Sequence, residues 1–437
     1  MRTFKRAGLF IPPFTFFWMR FVAGVVCVAL LVSCCRGNDS SPLPPRTWTI
    51  LAYLDGDNDL DNAALADLKE MEDAAASPYV TVIVQLDLRN DISAKRYWIQ
   101  NNSSVLLEDL GELDSANPET LTSFLTWAKE NYPADNTVLI LWNHGNGWDR
   151  ADGLDRSGQI KTAQAMFIDE DNDSSFLSNR MVREAIEHSG LQADLIGFDA
   201  CTMGTIEALY EYSSIPGTKI IVTSQEAGES HGWEYTVILS ALAADPGMSL
   251  ETFASTIVDA YENFYETRFY PANPKYEKRH TISALRTDIV MELAEEVNFL
   301  AVNLLERLND PAARDETISL IDAMRDNVQV IDPYIKPYVY IDLVHMDTLL
   351  GLDTDIASLV SRATVAEYHG AARENANGIS IVFFKLPEAF EYRTYDPNYM
   401  DMDNDAQTGT GAGFINAYQW DEFLHQYYLY SGTLPGK

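Results

Sequence analysis

Residues 137–148 read TVLILWNHGNGW, and residues 194–204 read DLIGFDACTMG. Each stretch opens on a short run that is apolar throughout, the pattern of a strand buried on both faces of a parallel sheet. Each then breaks into a polar, glycine-containing turn, which carries His144 in the first case and Cys201 in the second. Working residues of open α/β sheets gather at the carboxyl ends of the strands. A histidine and a cysteine at two such ends can therefore converge on one crevice, as a thiol nucleophile and its base must. Gly145, beside the histidine, lets a substrate carbonyl approach the main chain, and its N–H can join that of Cys201 as an oxyanion donor.

Outward from these two turns the pattern repeats. Trp48–Leu54 (WTILAYL), Val80–Leu86 (VTVIVQL) and Lys219–Thr223 (KIIVT) read as further strands. Helices are expected over Asp59–Ala75, Pro118–Asn131, Ser178–Ser189 and Thr205–Tyr212. Strands alternating with helices predict an α/β fold, a mainly parallel sheet covered by helices on both faces. Past Leu250 long amphipathic stretches dominate, such as 250–269 and 289–308, with strand-like segments at Thr281–Leu285 and Gly378–Phe384. The expected organisation is a catalytic core over 47–250 and a helix-rich C-terminal region over 251–437 that returns strands to the sheet.

The amino terminus has the layout of an export signal. Arg2, Lys5, Arg6 and Arg20 precede an apolar run from Phe21 to Val32, which ends at Leu31-Val32-Ser33-Cys34. That ending resembles a bacterial lipobox, so residues 1–33 are expected to be removed and Cys34 acylated, with 34–46 as a flexible tether to a membrane. Of the 4 cysteines only Cys35 and Cys201 then remain as thiols, which excludes a disulfide framework. With 31 basic against 65 acidic residues the formal charge is -34, which repels phosphate backbones and makes nucleic acid an unsuitable partner. The same field favours cationic substrates.

An apolar strand ending in His-Gly, followed by one ending in Asp-Ala-Cys, resembles the clostripain-like cysteine peptidases, which share a caspase-like fold with gingipains and caspases. The likeness extends to AYLDGDNDL near the start, VTSQEAGESHGWEY after KIIVT, and NGISIVFF near the end, covering most of 48–385 and matching less closely in the C-terminal half. It implies a cysteine endopeptidase acting on protein or peptide substrates with basic residues, with Cys201 as nucleophile and His144 as general acid/base, and no cofactor for the chemistry. Asp199, two residues before the nucleophile, matches the family position that binds an Arg or Lys side chain ahead of the scissile bond.

The segment 149–164, with Arg150, Arg156 and Lys161, reads as a polar surface loop, and the resemblance makes it a place for self-cleavage. Calcium is a candidate ion, because some relatives use it. The acidic clusters Asp55–Asp61, Asp169–Asp173 and Asp401–Asp405 place carboxylates at alternate positions but lack the glycine and glutamate of an EF-hand loop. His231, in SHGW, is a rival base. No pair of histidines has the spacing of a zinc site. The alternatives to an enzyme are a peptide-binding or a calcium-binding surface lipoprotein.

Overall fold

The computed structural model describes residues 47–432 except 90, 92, 148–149, 155–159, 165–166, 170–174, 332–339 and 384–412, with 150–154, 160–164, 167–169 and 176 as backbone only. The export signal, Cys34 and the tether lie outside the described residues. So do Arg156 and two acidic clusters, 170–173 and 401–405.

In chain order the elements begin β1 (Trp48–Gly56), α1 (Asp61–Asp73), β2 (Val80–Leu88), β3 (Ala94–Gln100), β4 (Ser103–Gly111), α2 (Pro118–Asn131) and β5 (Asn136–Trp142). Next come β6 (Arg150–Leu154), β7 (Ile160–Gln164), β8 (Phe167–Asp169), β9 (Ser175–Leu177), α3 (Asn179–Ser189), β10 (Leu195–Asp199), α4 (Ile206–Ser213) and β11 (Ile220–Thr223). Then follow α5 (Tyr235–Ala244), α6 (Leu250–Phe264) with a π-helical turn at Tyr265–Phe269, β12 (Thr281–Arg286), α7 (Thr287–Asn309) and α8 (Arg314–Asn327). The chain closes with β13 (Val330–Ile331), β14 (Tyr340–Asp342), α9 (Leu343–Leu350), α10 (Ile356–Ala363), β15 (Thr364–His369), β16 (Ser380–Val382), α11 (Gly413–Ala417) and α12 (Trp420–Tyr430).

Nine strands form one sheet in the order β15-β12-β11-β10-β5-β1-β2-β3-β4. Its centre, from β2 to β11, is parallel, while β3 and β4 at one edge and β12 and β15 at the other run antiparallel. All nine residues of β1 are buried, as a central strand covered on both faces requires. Side chains alternate between the faces. Leu51 and Tyr53 join a core under α2, α3, α4 and α7, and Ile50, Ala52 and Leu54 join a second core under α1, α5 and α6. Each aliphatic side chain so buried contributes about 1.5–3 kcal/mol. A cap such as Asn117 on the N-H of Glu119 contributes about 1 kcal/mol, so burial sets the architecture and caps trim the helix ends.

From β1 the chain winds one way to β2 and the other way through β5, β10 and β11, so the strand order reverses between β1 and β5. The carboxyl ends beside such a reversal open a crevice. Beyond Leu250 the chain returns to the same sheet as β12 and β15. It also forms a small antiparallel sheet, β13-β14-β16, whose Ser380 bridges to Thr205 behind the crevice. Within the polar stretch at 149–164, expected as a loop, the described residues form two strands, β6 and β7, that pair antiparallel. Arg150 and Lys161 lie in these strands.

Candidate active site

Parallel pairing sets Trp142, the last residue of β5, opposite Asp199, the last residue of β10. Two residues further along each chain stand His144 and Cys201, and both line one cavity of about 130 Å³. Register alone brings the two turns together. Only glycine permits the fit: a Cβ at Gly145 would sit 2.3 Å from the Cys201 carbonyl oxygen and 3.0 Å from its nitrogen.

The turn after β10 is bent sharply. Thr202, buried and β-branched, has φ +53°, a left-handed conformation that such residues rarely adopt. It is held there by its own N–H on Glu226 O (3.2 Å), by Gly204 N–H on Ser224 O (2.7 Å) and by Ser380 N–H on Gly204 O (2.9 Å). Cys201 Sγ, partly exposed, lies 3.8 Å from Gly228 O. The loop after β11 therefore fixes the cysteine turn through its main chain. Its own anchor is the buried carboxylate of Glu226, paired with the buried guanidinium of Arg373.

His144 is oriented from the other side. Its Nε2 is 2.7 Å from Asp59 Oδ1, and this contact holds the Asp59 carboxyl below the usual carboxylate range. Asp59 reaches it because β1 and β5 are neighbours, so the loop leaving β1 lies against the loop leaving β5. The two loops are joined by Asn143 Nδ2 donating to Asp55 Oδ2 (2.7 Å) and Asn58 Nδ2 donating to Asn143 Oδ1 (3.2 Å). With Nε2 engaged by Asp59, Nδ1 is the second ring nitrogen of His144. The rival His231 is exposed, packs against Phe264 and Phe269 at ring distances of 5.6 Å, and does not line the cavity.

The far wall of the cavity is acidic. Asp199 Oδ2 accepts the Tyr235 hydroxyl at 2.8 Å and the Trp233 N–H at 3.1 Å, while Oδ1 accepts no hydrogen bond among the described residues. Burial pushes this carboxyl up to about 6. Behind it Asp67, accepting from Trp142 Nε1 at 2.7 Å, is raised further by burial and then by the charge of Asp199. Glu70, whose Oε2 accepts the Tyr235 N–H at 2.9 Å, is pushed up to about 7 by burial and by Glu234. Of these acids Glu234 carries an ion pair, with Arg268. Carboxylates crowded in this way are relieved by any cation that enters.

Among the described residues no group of three or more His, Cys, Asp or Glu side chains is arranged to hold a metal. In the Asp55–Asp61 cluster, Asp55 and Asn58 serve the loop itself through Asn143. Sequence reasoning missed Asp59, Tyr261, Tyr265 and Glu229, the last three also lining the cavity. Asp59 stood in the quoted AYLDGDNDL, at the start of an expected helix. The adjacency of β1 and β5 is what would have singled it out.

Fold and site together define a class: α/β proteins of caspase-like fold with a cysteine and a histidine on adjacent parallel strand ends. Residues 52–427 match the sequence model of the clostripain family, peptidase family C11, and the chain belongs to that family. Clostripain from Hathewaya histolytica is 29% identical over 244 residues, which is 46% of this chain and 43% of clostripain, so the match spans less than half of that relative. A secreted C11 cysteine protease from Bacteroides thetaiotaomicron, solved with an irreversible peptide inhibitor, superposes with a TM-score of 0.61 at 17% identity, covering 86% of this chain and 99% of that one. An inactive zymogen C11 protease from Parabacteroides distasonis gives 0.57 at 20% identity, over 80% and 96%. At these identities the likeness is one of fold.

Proposed function

We propose that the protein is a cysteine endopeptidase that hydrolyses peptide bonds after Arg or Lys. The observation that carries the proposal is the single cavity on which His144, Cys201 and a half-buried carboxylate with one open oxygen, Asp199 Oδ1, all stand. His144 takes the thiol proton as Sγ attacks the scissile carbonyl carbon. The oxyanion of the tetrahedral intermediate is held by the N–H groups of Gly145 and Cys201. Thr202 N–H is already donated to Glu226 O, which directs that role to these two. As the intermediate collapses the C–N bond breaks and His144 protonates the leaving amine, giving a thioester. Water, losing its proton to His144, then releases the acid and regenerates the thiol. Labelling of Cys201 by a peptide warhead bearing Arg or Lys tests the whole scheme, and absence of labelling with an intact fold would reject it.

Asp59 acts in this scheme by keeping Nε2 of His144 engaged. The pair is exposed, with Asp59 70% and His144 38% accessible, so its energetic weight is about 1 kcal/mol or less. Asp59→Asn is therefore expected to lower kcat about threefold to fivefold while leaving KM nearly unchanged. A drop in kcat of several hundredfold would instead make Asp59 an obligatory third member.

Export belongs to the same proposal. No helix among the described residues is long and apolar enough to cross a membrane. Acylation at Cys34 would supply the anchor on the outer side of a bacterial membrane. Cys34→Ser is expected to move the protein from the membrane fraction to the soluble or unprocessed pool. Full membrane retention with normal signal removal would overturn the lipid anchor.

A further inference from the structure

The cavity wall holds a polar group that the scheme above does not use. Tyr265 lines the cavity, is fully buried, and its hydroxyl makes no hydrogen bond among the described residues. Its polar neighbours are the Tyr261 hydroxyl, close to it but outside good hydrogen-bond geometry, and the Asp199 carboxylate, which acts on it through charge. Leaving a buried hydroxyl unpaired is costly, and such groups in folded proteins call for an explanation. Tyr265 is also the first residue of the π-helical turn that follows α6, an irregularity frequent at functional sites. Its ring is pinned at 3.9 Å from the ring of buried His280.

We infer that Tyr265 is a specificity-determining residue: its hydroxyl is the second acceptor for the basic side chain held by Asp199, and it makes the site favour arginine over lysine. The inference rests on the proposed peptidase function and on the place of Asp199 in its pocket. The chemistry of the two cations decides between them. Asp199 offers one open oxygen, because Oδ2 already takes two donors. An ammonium has three donors on one compact centre and is served by that oxygen and water. A guanidinium carries five donors spread over a planar fork, and once desolvated it needs acceptors in more than one direction. Tyr265 lines the same cavity with its ring held against His280, and a guanidinium seated beside Asp199 takes its buried hydroxyl as the second direction.

The test measures kcat/KM on matched peptides bearing Arg, Lys or citrulline before the cut, for the wild type and for Tyr265→Phe, which removes one oxygen and keeps the ring packed on His280. The wild type is expected to prefer Arg over Lys at least about tenfold, the scale of a hydrogen bond to a charged group. In Tyr265→Phe, turnover of the Arg peptide should fall about tenfold and that of the Lys peptide less than threefold, with the rate of Cys201 alkylation by iodoacetamide unchanged. Tyr270→Phe is the control: its hydroxyl bonds His280 Nδ1 at 2.7 Å, outside the cavity lining, and should leave the Arg to Lys ratio as it was. Equal losses on Arg and Lys, or none, overturn the role of Tyr265. A wild type that prefers Lys overturns it even where the variant does not fold. If the wild type handles Arg and citrulline alike, the fault lies with Asp199 and the basic-residue function, since the two side chains share one shape and citrulline lacks the positive charge.

Discussion

Cys201→Ala will abolish peptide hydrolysis, with a loss of at least about 10³-fold, and His144→Ala will come close to it. In the proposed scheme the thiol forms the covalent intermediate. Loss of the imidazole removes both the base for the thiol and the acid for the leaving amine, worth about 10²–10⁴-fold. Residues that act as one unit are not additive. The double variant should thus be no worse than Cys201→Ala, and that equality distinguishes a dyad from two independent contributions. Folding should survive, because Cys201 is partly exposed and caps no core cluster. A melting temperature within about 3 °C of the wild type is expected. If the chain is cut by its own activity in the segment 149–164, purified Cys201→Ala will also stay intact there while the wild type does not. Undiminished turnover by Cys201→Ala would sink the nucleophile assignment.

The parts of the fold that were legible in the sequence are those where burial is two-sided. β1, β5 and β10 are apolar along most of their length because helices cover both faces of the sheet, and their limits match the expected ones within two residues. The β3–β4 hairpin was not legible. Its strands mix Lys95, Arg96, Glu108 and Asp109 with aromatic and aliphatic residues, and bulges at 94–95 and 96–97 break the alternation. Arg96 is buried there because Glu108 pairs with it at 2.8 Å and Trp127 lies under its guanidinium at 4.4 Å, compensation that no linear pattern displays. The turn Asn101-Asn102, with Asn102 at φ +58°, was the signal that could have found it.

For the site the same division holds. His144, Gly145, Cys201 and Asp199 stand at strand ends and could be singled out from local pattern. Asp59, Asp67 and Tyr265 come from other segments and meet the site only through sheet order and helix packing. Their roles depend on neighbours 85, 132 or 66 positions away, such as the 85 separating Asp59 from His144. Composition near each of them says nothing of that.

Asp199→Asn should damage cleavage after basic residues far more than it damages the thiol. Truncating one partner of a buried charge pair costs about 2–5 kcal/mol, which corresponds to a loss of roughly 30-fold to several thousandfold in kcat/KM on Arg or Lys peptides. Cys201 alkylation by a small neutral reagent should change little, because Asp199 is tied to Tyr235 and Trp233 on the far wall. The pH dependence gives an independent sign. Burial holds the carboxyl of the free enzyme up to about 6, and only the charged form attracts a cation. On Arg or Lys peptides kcat/KM should therefore be full well above pH 6 and fall as pH drops through about 6, since kcat/KM reports the free enzyme. In Asp199→Asn that acid limb should disappear while the limb belonging to the thiol and imidazole stays. Asp67 works against a complete loss. Burial, the larger cause, keeps Asp67 raised, but with Asp199 neutral the added repulsion is gone, so Asp67 ionises more readily than in the wild type and restores part of the negative potential behind the wall. Residual activity on basic peptides should accordingly rise with pH in Asp199→Asn, and adding Asp67→Asn should remove it. Preference of the wild type for Asp, Asn or Leu before the cut, or an unchanged acid limb in Asp199→Asn, would take Asp199 out of the pocket.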